Sequence, residues 1–231
     1  MSAIELKQLT KRYKQGTKVI NACDAIDLKV KEGEFVVIIG PSGSGKSTLL
    51  QQIGGLDYPT SGKVILEGKD LSKMSEAKLT KYRSNNIGYV FQNFNLVPTL
   101  NAEQNVEVAI SNRTKSDGNK VRNILDSVGL ESRYDHLPSL LSGGEQQRVA
   151  IARSLVNNPK IILADEPTGN LDSKTGTEIM QLLAKLNKDQ GKTVIVITHS
   201  VYVRKFADRF FELIDGKLNE ITKGSHLSAQ V

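Results

Sequence analysis

Eight residues, Gly40-Pro41-Ser42-Gly43-Ser44-Gly45-Lys46-Ser47, constrain this chain more than any others. They fit the pattern G-x-x-x-x-G-K-[ST]. The apolar run 35–39 precedes them with the composition of a buried strand, and residues 48–54 continue as a helix. Strand, glycine-rich loop and helix in that order form a phosphate cradle. The glycines let backbone amides close on an anion, and the helix start, from Lys46 through Thr48, adds its positive dipole end. Lys46 can reach β- and γ-phosphates, and the Ser47 hydroxyl suits Mg²⁺. Alone, the motif indicates nucleotide binding and is shared by kinases, GTPases and motors.

The rest of the chain alternates strand and helix patterns. Residues 4–6 and 21–30 read as antiparallel strands near the N-terminus, 63–66 and 87–91 as further strands, and 79–83 as a short helix. From 93 to 157 the texture is mostly helical, over 102–110, 120–128 and 145–156, until Asn157-Asn158-Pro159 ends the last helix. Residues 160–165 form a buried strand, 173–190 an amphipathic helix, 193–198 a strand, and 210–221 a closing hairpin around Asp215-Gly216-Lys217. The expected fold is α/β, with a mostly parallel sheet, an N-terminal antiparallel β-subdomain and an inserted helical subdomain. One domain over 1–223 is expected, its core at 1–92 and 158–223 and its helical subdomain at 93–157. A flexible tail is expected at 224–231.

Composition narrows the classes. There are 231 residues, 39% of them hydrophobic, and no apolar run near the roughly 20 residues of a membrane span. No signal-peptide pattern stands at the N-terminus, so a cytoplasmic protein is expected. Cys23 is the only cysteine, which excludes a disulfide framework, and it reads as a small structural residue. His136, His199 and His226 lack metal-ligand spacing. The net charge of +6 comes from scattered lysines, and no nucleic-acid partner is expected.

Two further segments carry chemistry. Residues 161–166 are an apolar strand ending in Asp165 and Glu166. At the carboxyl edge of a parallel sheet such acids face the ligand crevice. There Asp165 can hold Mg²⁺ and Glu166 can act as general base toward water. The bland alternative is an ordinary solvated strand end, which the phosphate loop makes less natural. The second segment, Leu141-Ser142-Gly143-Gly144-Glu145, precedes a helix. It suits an anion, and it equally suits a plain capping box between Ser142 and Glu145. Local physics leaves both open.

In order along the chain, these residues resemble the ATP-binding-cassette ATPases over residues 2–222. Ser142, Gly143 and Gly144 resemble that family's signature, Gln92 its Q-loop glutamine, and Asn170-Leu171-Asp172 its D-loop. His199 resembles its switch histidine, and Tyr13 the aromatic that stacks on adenine. Arg148 and Arg153 look like helix-face charges. The resemblance implies ATP and Mg²⁺ as ligands, with Ser47, Gln92 and Asp165 at the metal. It implies Glu166, His199 and Lys46 as catalytic groups. It also implies a head-to-tail homodimer in which each ATP lies between one chain's loop and the partner's Ser142–Gly144.

The stretches 54–62, 91–98 and 167–172 are most similar to the bacterial group serving lipoprotein release, macrolide export and antimicrobial-peptide resistance. Such subunits work at the inner face of the membrane with a separate membrane permease. Phe94, Leu96 and Val97 are candidates for its contact or for core. The alternatives are a cell-division regulator with the same motifs and, more remotely, a nucleic-acid or ribosome-associated ATPase.

Overall fold

A computed structural model describes residues 2–111 and 117–221 of the chain. The expected tail at 224–231 lies outside the described residues.

The core is a six-stranded sheet in the order β10-β9-β3-β8-β7-β6. Its strands are β3 (Phe35–Ile39), β6 (Ile87–Val90), β7 (Ile161–Asp165), β8 (Thr193–Thr198), β9 (Arg209–Ile214) and β10 (Lys217–Glu220). All neighbours pair in parallel except the edge strand β10. Both faces are covered, which explains the uninterrupted apolar strands. On β3, Phe35, Val37 and Ile39 enter one core and Val36 and Ile38 the other, as the period of two requires.

The first core lies against α3 (Ala102–Glu107), α4 (Asp117–Ser127), α5 (Gly143–Leu155) and α6 (Ser173–Gln190). The second lies against α1 (Lys46–Ile53) and a four-stranded antiparallel sheet in the order β2-β1-β4-β5. That sheet joins β1 (Ser2–Gln15), β2 (Lys18–Lys31), β4 (Ser61–Leu66) and β5 (Lys69–Asp70). The remaining helix, α2 (Glu76–Asn86), precedes β6.

Several elements run beyond their sequence patterns. β1 and β2 extend to fourteen residues each because cross-strand pairing carries the polar stretches near Lys14. Residues 201–206, which have no periodic signal, form a 3₁₀ turn behind His199. The β9–β10 hairpin turns on Asp215 and Gly216, both with positive φ, as a two-residue turn of that hand demands. Cys23 is fully buried.

Candidate functional site

β3 delivers the phosphate loop at the centre of the parallel sheet. Two glycines there are sterically obligatory. A Cβ on Gly45 (φ +103°) would stand 1.9 Å from the Ala22 carbonyl oxygen, and one on Gly40 would stand 2.2 Å from that of Leu213. The loop is thus pressed between β2 and β9, and the Gly216 amide also donates to the Ser44 carbonyl at 3.2 Å. Gly45 is the N-cap of α1 and supplies no side-chain cap, so the free amides of that first turn remain for a ligand.

Lys46 is 8% exposed. Its ammonium donates to the carbonyls of Gly40 (2.8 Å) and Pro41 (2.9 Å). Burial lowers its pKa, against the pull of Glu166 and Asp165. The Ser44 hydroxyl is buried without a partner. A cleft of about 280 Å³ is lined by Tyr13, Ile20, Ala22, Gly43 and residues 45–48. A larger one, about 560 Å³, lies among Lys120, Ile124, Leu155 and Lys192 and holds none of the motif residues. Size is therefore no guide to the site.

Tyr13 stands at the open end of the smaller cleft. Its hydroxyl donates to Asp57 Oδ2 at 3.1 Å, and the Lys11 ammonium, paired with Asp57 at 2.7 Å, lies 5.2 Å above the ring. Partial burial, then Asp57, raise the phenol pKa and keep it protonated.

β7 carries the acids to the loop. Ser47 Oγ donates to Asp165 Oδ1 at 3.3 Å. Burial raises the Asp165 pKa, partly countered by the Ser47 bond. Glu166 adopts φ +45°, a strained value for a side chain with a Cβ. Its amide still donates to Ile197 at 2.9 Å on β8. Its Oε2 accepts from the His199 amide at 3.3 Å and lies 3.1 Å from His199 Nδ1.

Gln92 reaches the same region. The amide end of Gln92 packs against the bare backbone of Gly169, where a Cβ would stand 2.8 Å from its Nε2. Asn170 Nδ2 donates to the Gln92 carbonyl at 3.1 Å, and the Gly169 amide donates to Glu166 at 3.0 Å.

The structure therefore brings Tyr13, the loop, Asp165, Glu166, His199 and Gln92 into one region. Asp172 and the segment 142–144 have other neighbours. Asp172 caps α6, accepting from the amides of Lys174 (3.0 Å) and Thr175 (3.1 Å). Ser142 and Glu145 form a complete capping box on α5, and Arg133 clasps Glu145 at 2.6 Å. Within one chain the capping reading of Ser142 is realised. Gly143 lies against Leu171 and Gly144 against Thr175.

Three residues gain roles that sequence reasoning did not find. Asp57 anchors Tyr13. Gln147, fully buried, donates to the Pro167 carbonyl at 2.8 Å. Arg153 is half-buried rather than a free helix-face charge. It donates to the carbonyls of Phe94 and Asn95. No local pattern could have signalled any of these, since each partner is 20 or more residues away.

A glycine-cradled lysine on a parallel sheet, with two carboxylates at the end of β7, one strand removed from β3, defines a P-loop nucleotide hydrolase. The chain belongs to the ABC transporter ATP-binding family and is an ATPase. The family profile described as "ABC transporter" matches residues 23–169. An uncharacterized ABC transporter ATP-binding protein of Methanocaldococcus jannaschii, MJ0796, is 51% identical over 227 residues, covering 95% of this chain and 97% of that one. The macrolide export ATP-binding/permease protein MacB of Bdellovibrio bacteriovorus is 49% identical over 92% of this chain, which spans 33% of that longer protein. Among solved structures, the dimeric post-hydrolysis state of MJ0796 bound to ADP and Pi superposes with a TM-score of 0.86 at 47% identity, covering 95% and 99% of the two chains. The cbiO1 cassette of Clostridium perfringens gives 0.84 at 32% identity, covering 94% and 87%. Among the described residues no helix is long and apolar enough to cross a membrane.

Proposed function

We propose that the chain is the ATP-hydrolysing subunit of a transporter of exporter or mechanotransmission type, of the kind that serves lipoprotein release or macrolide and antimicrobial-peptide resistance. It drives a separate membrane permease from the inner face of the membrane. The 49% identity to a macrolide export protein supports this branch. The surface beside Gln92, where Val97 is 39% exposed and Phe94 half-buried, is offered for the permease. Residues 93–157 serve as the helical subdomain.

One observation carries the mechanism. The loop, Asp165, Glu166 and His199 lie together, while Ser142–Gly144 lies among Phe94, Glu145, Asn170, Leu171 and Thr175. A second copy, packed head to tail, would supply that helix start to the nucleotide, as the dimeric state of MJ0796 suggests.

The residues fit ATP. Gly40 and Gly45 leave the backbone bare where a Cβ would fill the cradle, and the Ser44 hydroxyl awaits a partner. Lys46, now held by loop carbonyls, would transfer its donors to phosphate oxygens. Tyr13 would stack on the base, and Pro41, Ser42, Gly43, Thr48 and the partner's Ser142, Gly143, Gly144 and Asp172 would enclose the rest. Ser47 and Asp165, hard oxygen donors joined at 3.3 Å, suit Mg²⁺, with Gln92 as a further ligand. The ion would neutralise phosphate charge.

Glu166 takes a proton from the water that attacks the γ-phosphorus, as the bond to the β–γ bridging oxygen breaks and ADP leaves. His199 orients Glu166 and the γ-phosphate. Loss of the γ-phosphate removes the link between copies, so ATP binding closes the dimer and hydrolysis opens it.

The test is turnover and sedimentation of Glu166→Gln beside the wild type with Mg-ATP. Collapse of turnover with a stable dimer is the expected result. Wild-type turnover would rule Glu166 out as the base. Collapse without a dimer would mean that closure needs the permease.

A further inference from the structure

Phe94 and Asn95 are consecutive residues in the left-handed region, with φ of 58° and 51°. Local backbone bonds from the Phe94 amide to the Phe91 carbonyl (3.4 Å) and from the Asn95 amide to the Asn93 carbonyl (2.5 Å) accompany that conformation, which is costly for a phenylalanine. The two carbonyls of the turn are held from outside it. Arg153, in the last turns of α5, donates from Nη2 to the Phe94 carbonyl at 2.7 Å and from Nη1 to the Asn95 carbonyl at 2.5 Å. Both nitrogens of one planar fork are spent on two successive carbonyls, which a lysine's single ammonium on a flexible stem cannot reproduce. Burial lowers the pKa of this guanidinium, and among the described residues no carboxylate answers it. Its charge is met by the two carbonyl dipoles.

The turn lies just beyond Gln92, which is anchored from the opposite side. Asn170 Nδ2 donates to the Gln92 carbonyl at 3.1 Å and to Asn93 Oδ1 at 3.0 Å. The segment from Gln92 to Asn95 is therefore strung between the catalytic strand's loop and the body of α5. Arg153 and Asn95 also line a cleft of about 340 Å³ with Tyr89, Phe91 and Ser154. The Tyr89 and Phe91 rings stack at 4.4 Å along its wall.

We propose that Arg153 is a positioning residue: by fixing the left-handed turn at Phe94 and Asn95 it sets the placement of Gln92 and thereby the metal dependence of turnover. The inference rests on the reading of Gln92 as a magnesium-site residue. Arg153 touches no reacting atom; it acts through the backbone.

The experiment compares wild type, Gln92→Ala, Arg153→Met, Arg153→Lys and the Gln92→Ala/Arg153→Met double variant. Turnover is followed against free Mg²⁺ at saturating ATP, and ATP affinity is measured in EDTA. Arg153→Met is expected to raise half-saturating Mg²⁺ about 10-fold and to leave ATP affinity in EDTA within about twofold, with Arg153→Lys intermediate. The double variant should match Gln92→Ala alone, because both changes remove one function.

A second readout needs neither metal nor turnover. The chain has no tryptophan, so Phe94→Trp reports on the turn alone. Its quenching by acrylamide should increase when Arg153→Met is added. Should Gln92→Ala shift the Mg²⁺ dependence while Arg153→Met does not, the positioning role is refuted and the reading of Gln92 stands. If Gln92→Ala shifts nothing, both fail. Multiplicative effects in the double variant would place the action of Arg153 elsewhere and overturn the proposal. If Arg153→Met does not fold, Arg153→Lys and the tryptophan readout decide by the same criteria.

Discussion

Gly144 stands in the first turn of α5, where it meets the first turn of α6. A Cβ there would lie 2.5 Å from Thr175 Cγ2, against 3.4 Å for the closest ordinary contact. Gly144→Ala must therefore open the helix pair by about 0.9 Å, and the Thr175 side chain is poorly placed to rotate away, since its hydroxyl is bonded to Asp172. Overpacking of this size costs about 1–3 kcal/mol. Alanine's better helix propensity returns about 0.5–1 kcal/mol. The net loss is about 0–2.5 kcal/mol, with about 1.5 kcal/mol taken for a contact this short. With an m-value of about 2.5 kcal/mol/M, the urea midpoint should fall by about 0.6 M. Thr175→Ser removes the offending methyl and keeps the hydroxyl. In the double variant it should restore most of the loss, a coupling of about 1 kcal/mol. The assay is urea unfolding of the four proteins in the double-mutant cycle. A midpoint for Gly144→Ala within about 0.2 M of wild type, or no rescue by Thr175→Ser, would refute the contact argument.

Other consequences can be measured directly. Backbone and side-chain donors at Ser142, with Arg133, hold the Glu145 pKa down to about 2. A depressed carboxyl contributes stability that is full above its unfolded pKa, about 4.3, and is lost as pH falls toward about 2. Half exposure of Arg133 limits this to about 1 kcal/mol; unfolding midpoints of Glu145→Gln should vary correspondingly less than wild type between pH 5 and 2, by the same approximate amount. Gln147→Leu strips the Pro167 carbonyl of its buried donor and should cost about 1–3 kcal/mol, read by urea unfolding. Tyr13→Ala should raise the KM for ATP about 10-fold with kcat within about twofold, since stacking of a base is worth about 1–3 kcal/mol. Burial pushes the Cys23 thiol up to about 12, so a thiol reagent should label it only on unfolding.

The parts of this protein legible from its residues are those governed by short-range rules. The phosphate loop is readable because glycine positions and a following helix specify the cradle locally. The strands at 35–39, 161–165 and 193–198 are readable because apolar runs of that length fit a sheet buried on both faces. Asp165 and Glu166 follow from their place at such a strand's end, whereas a lone histidine at a strand tip carries no local signal and His199 is legible only through the family resemblance. The sequence could not choose between two uses of Ser142, because a helix cap and an anion site need the same atoms. Tertiary structure decided that within one chain Ser142 caps α5 and Asp172 caps α6. It also decided where the charged and amide side chains go. Arg153 and Gln147 have the spacing of ordinary helix residues, yet one grips carbonyls 58 and 59 positions away and the other a carbonyl 20 positions away. Those bonds depend on how α5 packs against the loops after β6 and β7, and that packing is set by the whole core rather than by any segment of it.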